Sequence, residues 1–267
     1  MDYKIVFFDV DGTLVNYEDG RIEESTRNAI EQLKNKGIHI VAATGRPLSM
    51  CQDLRNIGIE TFITANGAYV KHQDQVIHKI PVAKEIVQAV KAFADENKQS
   101  LSFFTEQLSM NNVQEKETLK AMQETLSLQE FPVINEDIVT QEVYLMCLYG
   151  NEDVEKKYTS TFPHLLFKRW HPYITNVLQH DVSKSIAVQA VLDYFDLSPE
   201  EALAFGDGDN DIDMLEQVGF GIAMGNGSEA LKNVANYVTK KSTEDGIDYA
   251  LRELQIISNE KHFKIQH

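Results

Sequence analysis

The sequence predicts an α/β fold, a doubly wound and mostly parallel sheet interrupted by an inserted α+β domain. Three observations predict it. Short, continuous apolar runs recur near both ends of the chain, as in strands covered on both faces. Each is followed by a stretch with helical spacing, the alternation that builds crossover units. Residues 82–182 lack that alternation, and neighbouring strand-like stretches there lie only a few residues apart, which suits antiparallel hairpins.

Ile5–Phe8 is the first such run and ends in Asp9-Val10-Asp11-Gly12-Thr13. Ser25 then offers a helix N-cap, Ala29, Ile30 and Leu33 recur at helical spacing, and Gly37 supplies the stop. Ile38–Ala43 reads as a second strand ending in Thr44-Gly45-Arg46, Pro47 as a helix start, and Thr61–Thr64 as a third strand before Asn66-Gly67. In the middle segment, helices are expected near Lys84–Asn97, Gln114–Ser127 and Glu152–Thr161. Strands are expected near Leu101–Thr105, Val143–Tyr149, Leu165–Trp170 and Ile174–Gln179. From Lys184 the first style returns: a helix over 184–195, a strand over Ala202–Phe205 ending in GDGDND, a helix from about Asp211 and a strand over Gly219–Ala223. A helix from Ser228, a short strand Tyr237–Thr239 and a last helix after Ser242 complete it. The parallel, Rossmann-like core is therefore discontinuous, residues 1–82 and 183–267, with residues 83–182 inserted.

Composition bounds the function classes. At 267 residues and 43% hydrophobic content the chain can bury a proper core. No apolar run approaches the roughly 20 residues that span a bilayer. The start MDYKIVFF lacks the basic region and small-residue cleavage site of a leader, so a cytoplasmic location and no membrane partner are expected. Cys51 and Cys147 show no metal or redox spacing and read as reduced packing residues. A formal net charge of −16, from 41 acids against 25 Lys+Arg, argues against nucleic acid as a partner. It leaves room for a small anionic ligand where a bound cation reverses the local field.

Two acidic clusters, DVDGT at 9–13 and GDGDNDID at 206–213, each follow a buried strand. Asp and Gly are ordinary turn formers, but ligands of open α/β sheets bind outside the carboxyl ends of the strands. A calcium-hand loop needs glycine at its sixth place and glutamate at its twelfth. Counting from Asp9 these are Leu14 and Gly20, and from Asp207 they are Ile212 and Val218, so that reading fails in both. If the clusters cap adjacent strands, Asp9, Asp11 and Asp207 converge and their mutual repulsion calls for a cation. Oxygen-only ligands favour magnesium, the usual partner of a substrate phosphate. Thr44 offers a hydroxyl, Gly45 a backbone N–H and Lys184 a positive charge to phosphate oxygens.

DVDGT (9–13), ATGR (43–46), Lys184 and GDGDND (206–211), in that order and with an insertion between the second and third, resemble the four motifs of the haloacid dehalogenase superfamily. The insertion resembles that superfamily's type IIB cap domain, and ATGR with GDGDND is similar to its Cof-type hydrolase branch. Ser185 stands where many relatives carry glycine. The resemblance implies a covalent phosphoaspartyl route with Asp9 as nucleophile and Asp11 as acid and then base. It implies Mg²⁺ held by the carboxylates of Asp9 and Asp207 and the backbone carbonyl of Asp11. The phosphoryl group is expected to meet Thr44, Lys184, the N–H groups of Val10 and Gly45, and Asn210. Asp211 is expected to tie Lys184 or a metal-bound water in place, a role that competes with plain helix-start capping.

The implied function is a Mg²⁺-dependent phosphatase of small phosphorylated metabolites such as sugar phosphates, nucleotides or a cofactor phosphate. Two readings stay open beside it: a phosphomutase of the phosphomannomutase type, whose pattern lacks the ATGR found here, and a non-catalytic phosphometabolite sensor. Arg46 and, in RWHPY (169–173), Arg169 and His171 are candidate specificity residues, although Trp170 and Tyr173 read equally as packing. His39, His72, His78, His164 and His180 form no metal spacing. The physiological substrate and the oligomeric state are not legible in the sequence.

Overall fold

The computed structural model describes residues 2–258. In chain order the elements are β1 (Ile5–Asp9), α1 (Glu24–Asn35), β2 (His39–Ala43), α2 (Gln52–Asn56), β3 (Thr61–Thr64), β4 (Tyr69–His72) and β5 (Gln75–Lys79). There follow α3 (Lys84–Glu96), β6 (Leu101–Phe104), β7 (Leu108–Met110), α4 (Lys116–Leu126), β8 (Val133–Ile134), β9 (Leu145–Tyr149), α5 (Glu152–Thr161), β10 (Leu166–His171) and β11 (Ile174–Leu178). The last third holds α6 (Lys184–Phe195), β12 (Ala202–Gly206), α7 (Ile212–Gln217), β13 (Phe220–Ala223), α8 (Glu229–Val234), β14 (Tyr237–Val238) and α9 (Gly246–Glu253). The strands form an eight-stranded sheet, β14-β13-β12-β1-β2-β3-β4-β5, and a six-stranded sheet, β10-β11-β9-β6-β7-β8. The chain divides into two compact units, one of residues 1–44, 54–62 and 188–267 and one of residues 45–53 and 63–187.

In the first unit the reason for a parallel core is visible in β1. Ile5, Val6, Phe7 and Phe8 are all fully buried, so both faces of the strand are covered. Burial of each such side chain is worth about 1.5–3 kcal/mol. β1 pairs in parallel with β12 on one side and β2 on the other, with Phe8 opposite Phe205 and Asp9 opposite Ala43. The Phe8 and Phe205 rings stack with centroids 5.0 Å apart. In-register parallel pairing brings the chain exits at Asp9, Thr44 and Asp207 to one edge, the carboxyl edge. Helix α1 buries Thr26, Ala29, Ile30 and Leu33, the stripe its spacing predicts.

In the second unit the six-stranded sheet is antiparallel except for the β7–β8 pair. Its core joins Val87, Val90 and Ala94 of α3 to Phe103, Met146 and Tyr158. The β4–β5 hairpin is fastened to this sheet by two similar sets of side chains. Tyr69 donates to Glu106, which also receives Lys71 at 2.8 Å. Tyr144 donates to Glu142 at 2.9 Å, which receives Lys79 at 2.7 Å, and the Tyr69 and Tyr144 rings meet at 4.6 Å. Two segments of this unit that lie far apart in sequence are tied to each other. Gln179 accepts from the Ala83 N–H at 3.1 Å and donates to the Pro81 carbonyl at 3.5 Å.

Several local expectations are corrected. Ser25 does not cap α1; Glu23 holds the cap position, and the Ser25 hydroxyl donates instead to Asp245 at 2.6 Å. Pro47 opens a single 3₁₀ turn, Leu48–Met50, ahead of the short α2. The hairpin β4–β5 was not expected, because its turn is Gln73-Asp74 with Gln73 at φ +52 rather than an Asn-Gly pair. β7 and β8, three and two residues long, are too short to carry a period-two pattern.

Candidate active site

The site begins where β1 ends. After Asp9 the chain folds back on itself: the Gly12 N–H reaches the Val15 carbonyl at 2.7 Å and the Val15 N–H reaches that of Val10 at 2.8 Å. Gly12 sits at φ +89, and a β-carbon there would run into the Asp207 carboxylate and the Tyr17 ring. Only glycine permits this approach of the two acidic loops. Thr13 then donates its hydroxyl to Asp207 Oδ1 at 3.1 Å in a buried bond.

The second acidic loop is organised by Asp211. Its Oδ2 accepts from the N–H groups of Asp207 at 3.1 Å and Gly208 at 3.0 Å, the arrangement of an acid at a helix start. The main chain of Asp207 is fixed further by the Ser228 N–H on its carbonyl at 2.9 Å. Asn226, which the sequence reading passed over, donates Nδ2 to the Gly12 carbonyl at 2.9 Å and faces Asp207 Oδ2 at 3.5 Å. Its Oδ1 receives the Ser242 N–H at 2.9 Å, so one carboxamide links three loops. The signal was the Gly-Asn-Gly-Ser run after β13, placed like GDGDND but without an acid to draw notice.

Asp9 and Asp207 are each 6% exposed and Asp211 is fully buried. One carboxylate oxygen from each lies within 4.8 Å of the others. Three buried carboxylates this close repel one another, and a hard divalent cation relieves the repulsion with an all-oxygen donor set, so the residues fit Mg²⁺. Among the described residues the cluster takes in the side chain of Asp211 and not that of Asp11, which is half-buried. Desolvation of its hydroxyl first, then the charges of Asp207, Asp9, Asp11 and Asp211, hold the Tyr17 phenol above its ordinary value, although the residue as a whole is 71% exposed.

The remaining expected residues fall as follows. Val10 is fully buried and Thr44 nearly so at the end of β2, whereas Asn210 is exposed in the 3₁₀ turn Asp209–Asp211. Gly45, Arg46 and Lys184 belong to the second unit. Gly45 lies against the Asn66 carboxamide, and Lys184, 2% exposed, is the first residue of α6. Ser183 caps that helix by accepting the Ile186 N–H at 3.2 Å.

Arg169 and His171 are engaged within their own unit. Arg169 Nη1 donates to the carbonyls of Gly150 at 3.0 Å and Pro172 at 2.8 Å, and its Nε faces Glu155 at 2.7 Å. His171 accepts the Tyr173 N–H on Nδ1 at 3.1 Å and faces Glu124 through Nε2 at 3.3 Å. Both cysteines are buried and neither is in a disulfide, and burial pushes the Cys147 thiol up to about 12. Among the described residues no helix is long and apolar enough to cross a membrane.

The model of the family described as haloacid dehalogenase-like hydrolase matches residues 6–251. "Putative phosphatase YkrA" of Bacillus subtilis is 35% identical over 260 residues, covering 96% of this chain and 100% of the relative. The 5-amino-6-(5-phospho-D-ribitylamino)uracil phosphatase YitU of the same organism is 28% identical over 271 residues, covering 93% and 96%. Among solved structures, the HAD subclass IIB sugar phosphatase BT4131 superposes with a TM-score of 0.81 at 35% identity, covering 95% of this chain and all of that one.

Proposed function

Because the chain belongs to the haloacid dehalogenase-like hydrolases and is a phosphatase of their Cof-type, subclass IIB branch, we propose that it hydrolyses small phosphorylated metabolites with Mg²⁺ through a phosphoaspartyl intermediate. The observation that carries this reading is the buried cluster of Asp9, Asp207 and Asp211 at the carboxyl edge of the parallel sheet. Mg²⁺ would be held by the carboxylates of Asp9 and Asp207 and the main-chain carbonyl of Asp11. Bound there, it supplies positive charge to the phosphoryl oxygens. Asp211, which already fixes the Asp207 and Gly208 amides, orients that set.

A carboxylate is ionised at neutral pH, so Asp9 needs no base to act. Its oxygen bonds to phosphorus in line as the ester P–O bond breaks, and Asp11 gives its proton to the departing alkoxide. Asp11, now a carboxylate, takes a proton from water whose oxygen attacks phosphorus. Orthophosphate leaves and Asp9 is restored. Thr44, Lys184, Asn210 and the N–H groups of Val10 and Gly45 hold the equatorial oxygens, where the charge of the transition state resides.

In this reading residues 1–82 and 183–267 perform the chemistry and residues 83–182 form a cap that selects the leaving group, with Arg169 and His171 of the cap and Arg46 of the core as candidate selectors. A sugar phosphate is the first substrate class to test, by likeness to BT4131, and a phosphorylated ribityl compound the second, by likeness to YitU. Two buried thiols outside any disulfide support a reducing, cytoplasmic setting. A net charge of −16 supports a small-molecule partner over nucleic acid. The test is a panel of phosphorylated metabolites assayed with Mg²⁺ and ranked by kcat/KM. Selective hydrolysis of one class is expected, and no phosphate release from any member overturns the reading.

A further inference from the structure

Asn66-Gly67 marks a turn in the sequence, and the fold gives that turn an unusual shape. Ala65, Asn66 and Gly67 all have positive φ, +50, +57 and +105. Consecutive left-handed residues that include an alanine are strained, and such strain persists only where the surroundings hold it. Three contacts within one unit hold it here. The Ala65 N–H donates to the Arg46 carbonyl at 3.2 Å. The Asn66 carboxamide lies on Gly45, where an added β-carbon would come within 3.1 Å of Oδ1. Gly67 lies against the peptide joining Ser183 to Lys184, so closely that any β-carbon would strike the Ser183 carbonyl.

The turn thus touches both segments that carry phosphate donors of the second unit, Gly45 with its backbone N–H and Lys184 with its ammonium. These two segments lie far apart in sequence, and the turn lies against both of them. We propose that the Ala65–Gly67 turn is a template that sets the spacing of the Gly45 N–H and Lys184, and that Asn66 is a positioning residue for the phosphoryl group. The inference rests on the reading of Gly45 and Lys184 as phosphate donors. Asparagine suits the role because it tolerates the left-handed backbone at low cost while its short amide fills the space over Gly45.

Three substitutions in the full chain separate template from mere packing. Asn66→Gly keeps the left-handed backbone but removes the carboxamide over Gly45, so KM for a small aryl phosphate and Ki for orthophosphate should rise by about tenfold with little change in Tm. Asn66→Asp keeps backbone and shape but sets a carboxylate against Gly45, so KM and Ki should both rise by about tenfold or more at an unchanged Tm. Asn66→Val resists positive φ and should raise KM and Ki while also lowering Tm. Losses in both Asn66→Gly and Asn66→Asp at a nearly unchanged Tm support the template. Unchanged KM and Ki in Asn66→Gly, or losses that follow Tm alone across the three variants, overturn it. A wild-type protein that neither hydrolyses the aryl phosphate nor is protected from heat by orthophosphate overturns the underlying reading of the donors and the template with it.

Discussion

Asp207 owes its position to residues with no part in the bond chemistry. Thr13 donates to one of its oxygens, Asn226 faces the other, and Gly12 leaves the room for both loops to meet. Gly12→Ala must carry a β-carbon at φ +89 into the Asp207 carboxylate. The strained backbone costs about 1 kcal/mol. Displacement of a ligand's support should weaken Mg²⁺ by roughly 10- to 100-fold. Activity titrated against Mg²⁺ checks this, and an unchanged half-saturation point would mean that the loops do not depend on that approach. The acids at the site were legible because each ends a buried apolar run. Asn226 was not, since an asparagine between glycines in a loop has the composition of any turn and its partner lies 214 positions away.

At the scale of elements, long periodic segments were legible and hairpins with atypical turns were not. The 5–9 strand and the 24–35 helix follow from their patterns, because the strand is a continuous apolar run buried on both faces and the helix buries the stripe its spacing displays. The β4–β5 hairpin is held by Tyr69 on Glu106 and Lys79 on Glu142, contacts made across 37 and 63 positions, which no local window contains. The same holds for RWHPY. Its Arg169 joins the β10–β11 turn to the Gly150 carbonyl and to Glu155, so the guanidinium braces the six-stranded sheet. Arg169→Ala should cost about 2 kcal/mol. For a chain of this length that lowers Tm by roughly 4–8 °C. Arg169→Lys should recover less than half, because an ammonium cannot serve carbonyls and a carboxylate as a planar fork does. A thermal melt with the substrate panel decides the matter: an altered substrate ranking at unchanged Tm would make Arg169 a selector of the leaving group instead of a brace.

At the scale of the molecule, an acidic chain with net charge −16 buries three carboxylates at one sheet edge. Folding must hold these charges together, and a cation that binds only the folded state offsets that cost. Mg²⁺ at about 100 times its Kd should therefore add about 2.7 kcal/mol and raise Tm by roughly 5–10 °C. Asp207→Asn, which removes one charge and one ligand, should abolish most of that rise. Equal shifts in both proteins would place the cation away from Asp207.

In the proposed reaction Asp9 forms a covalent bond to phosphorus, and that bond can be trapped. Asp11→Asn lacks the base that opens the aspartyl phosphate, so brief mixing with a ³²P-labelled aryl phosphate and acid quenching should leave label on the precipitated chain. The aryl leaving group needs little protonation, which allows the first step to proceed without Asp11. In Asp9→Asn the label should be absent and turnover lost. The account is contradicted if Asp9→Asn keeps substantial turnover, or if label appears on the chain with Asp9 replaced.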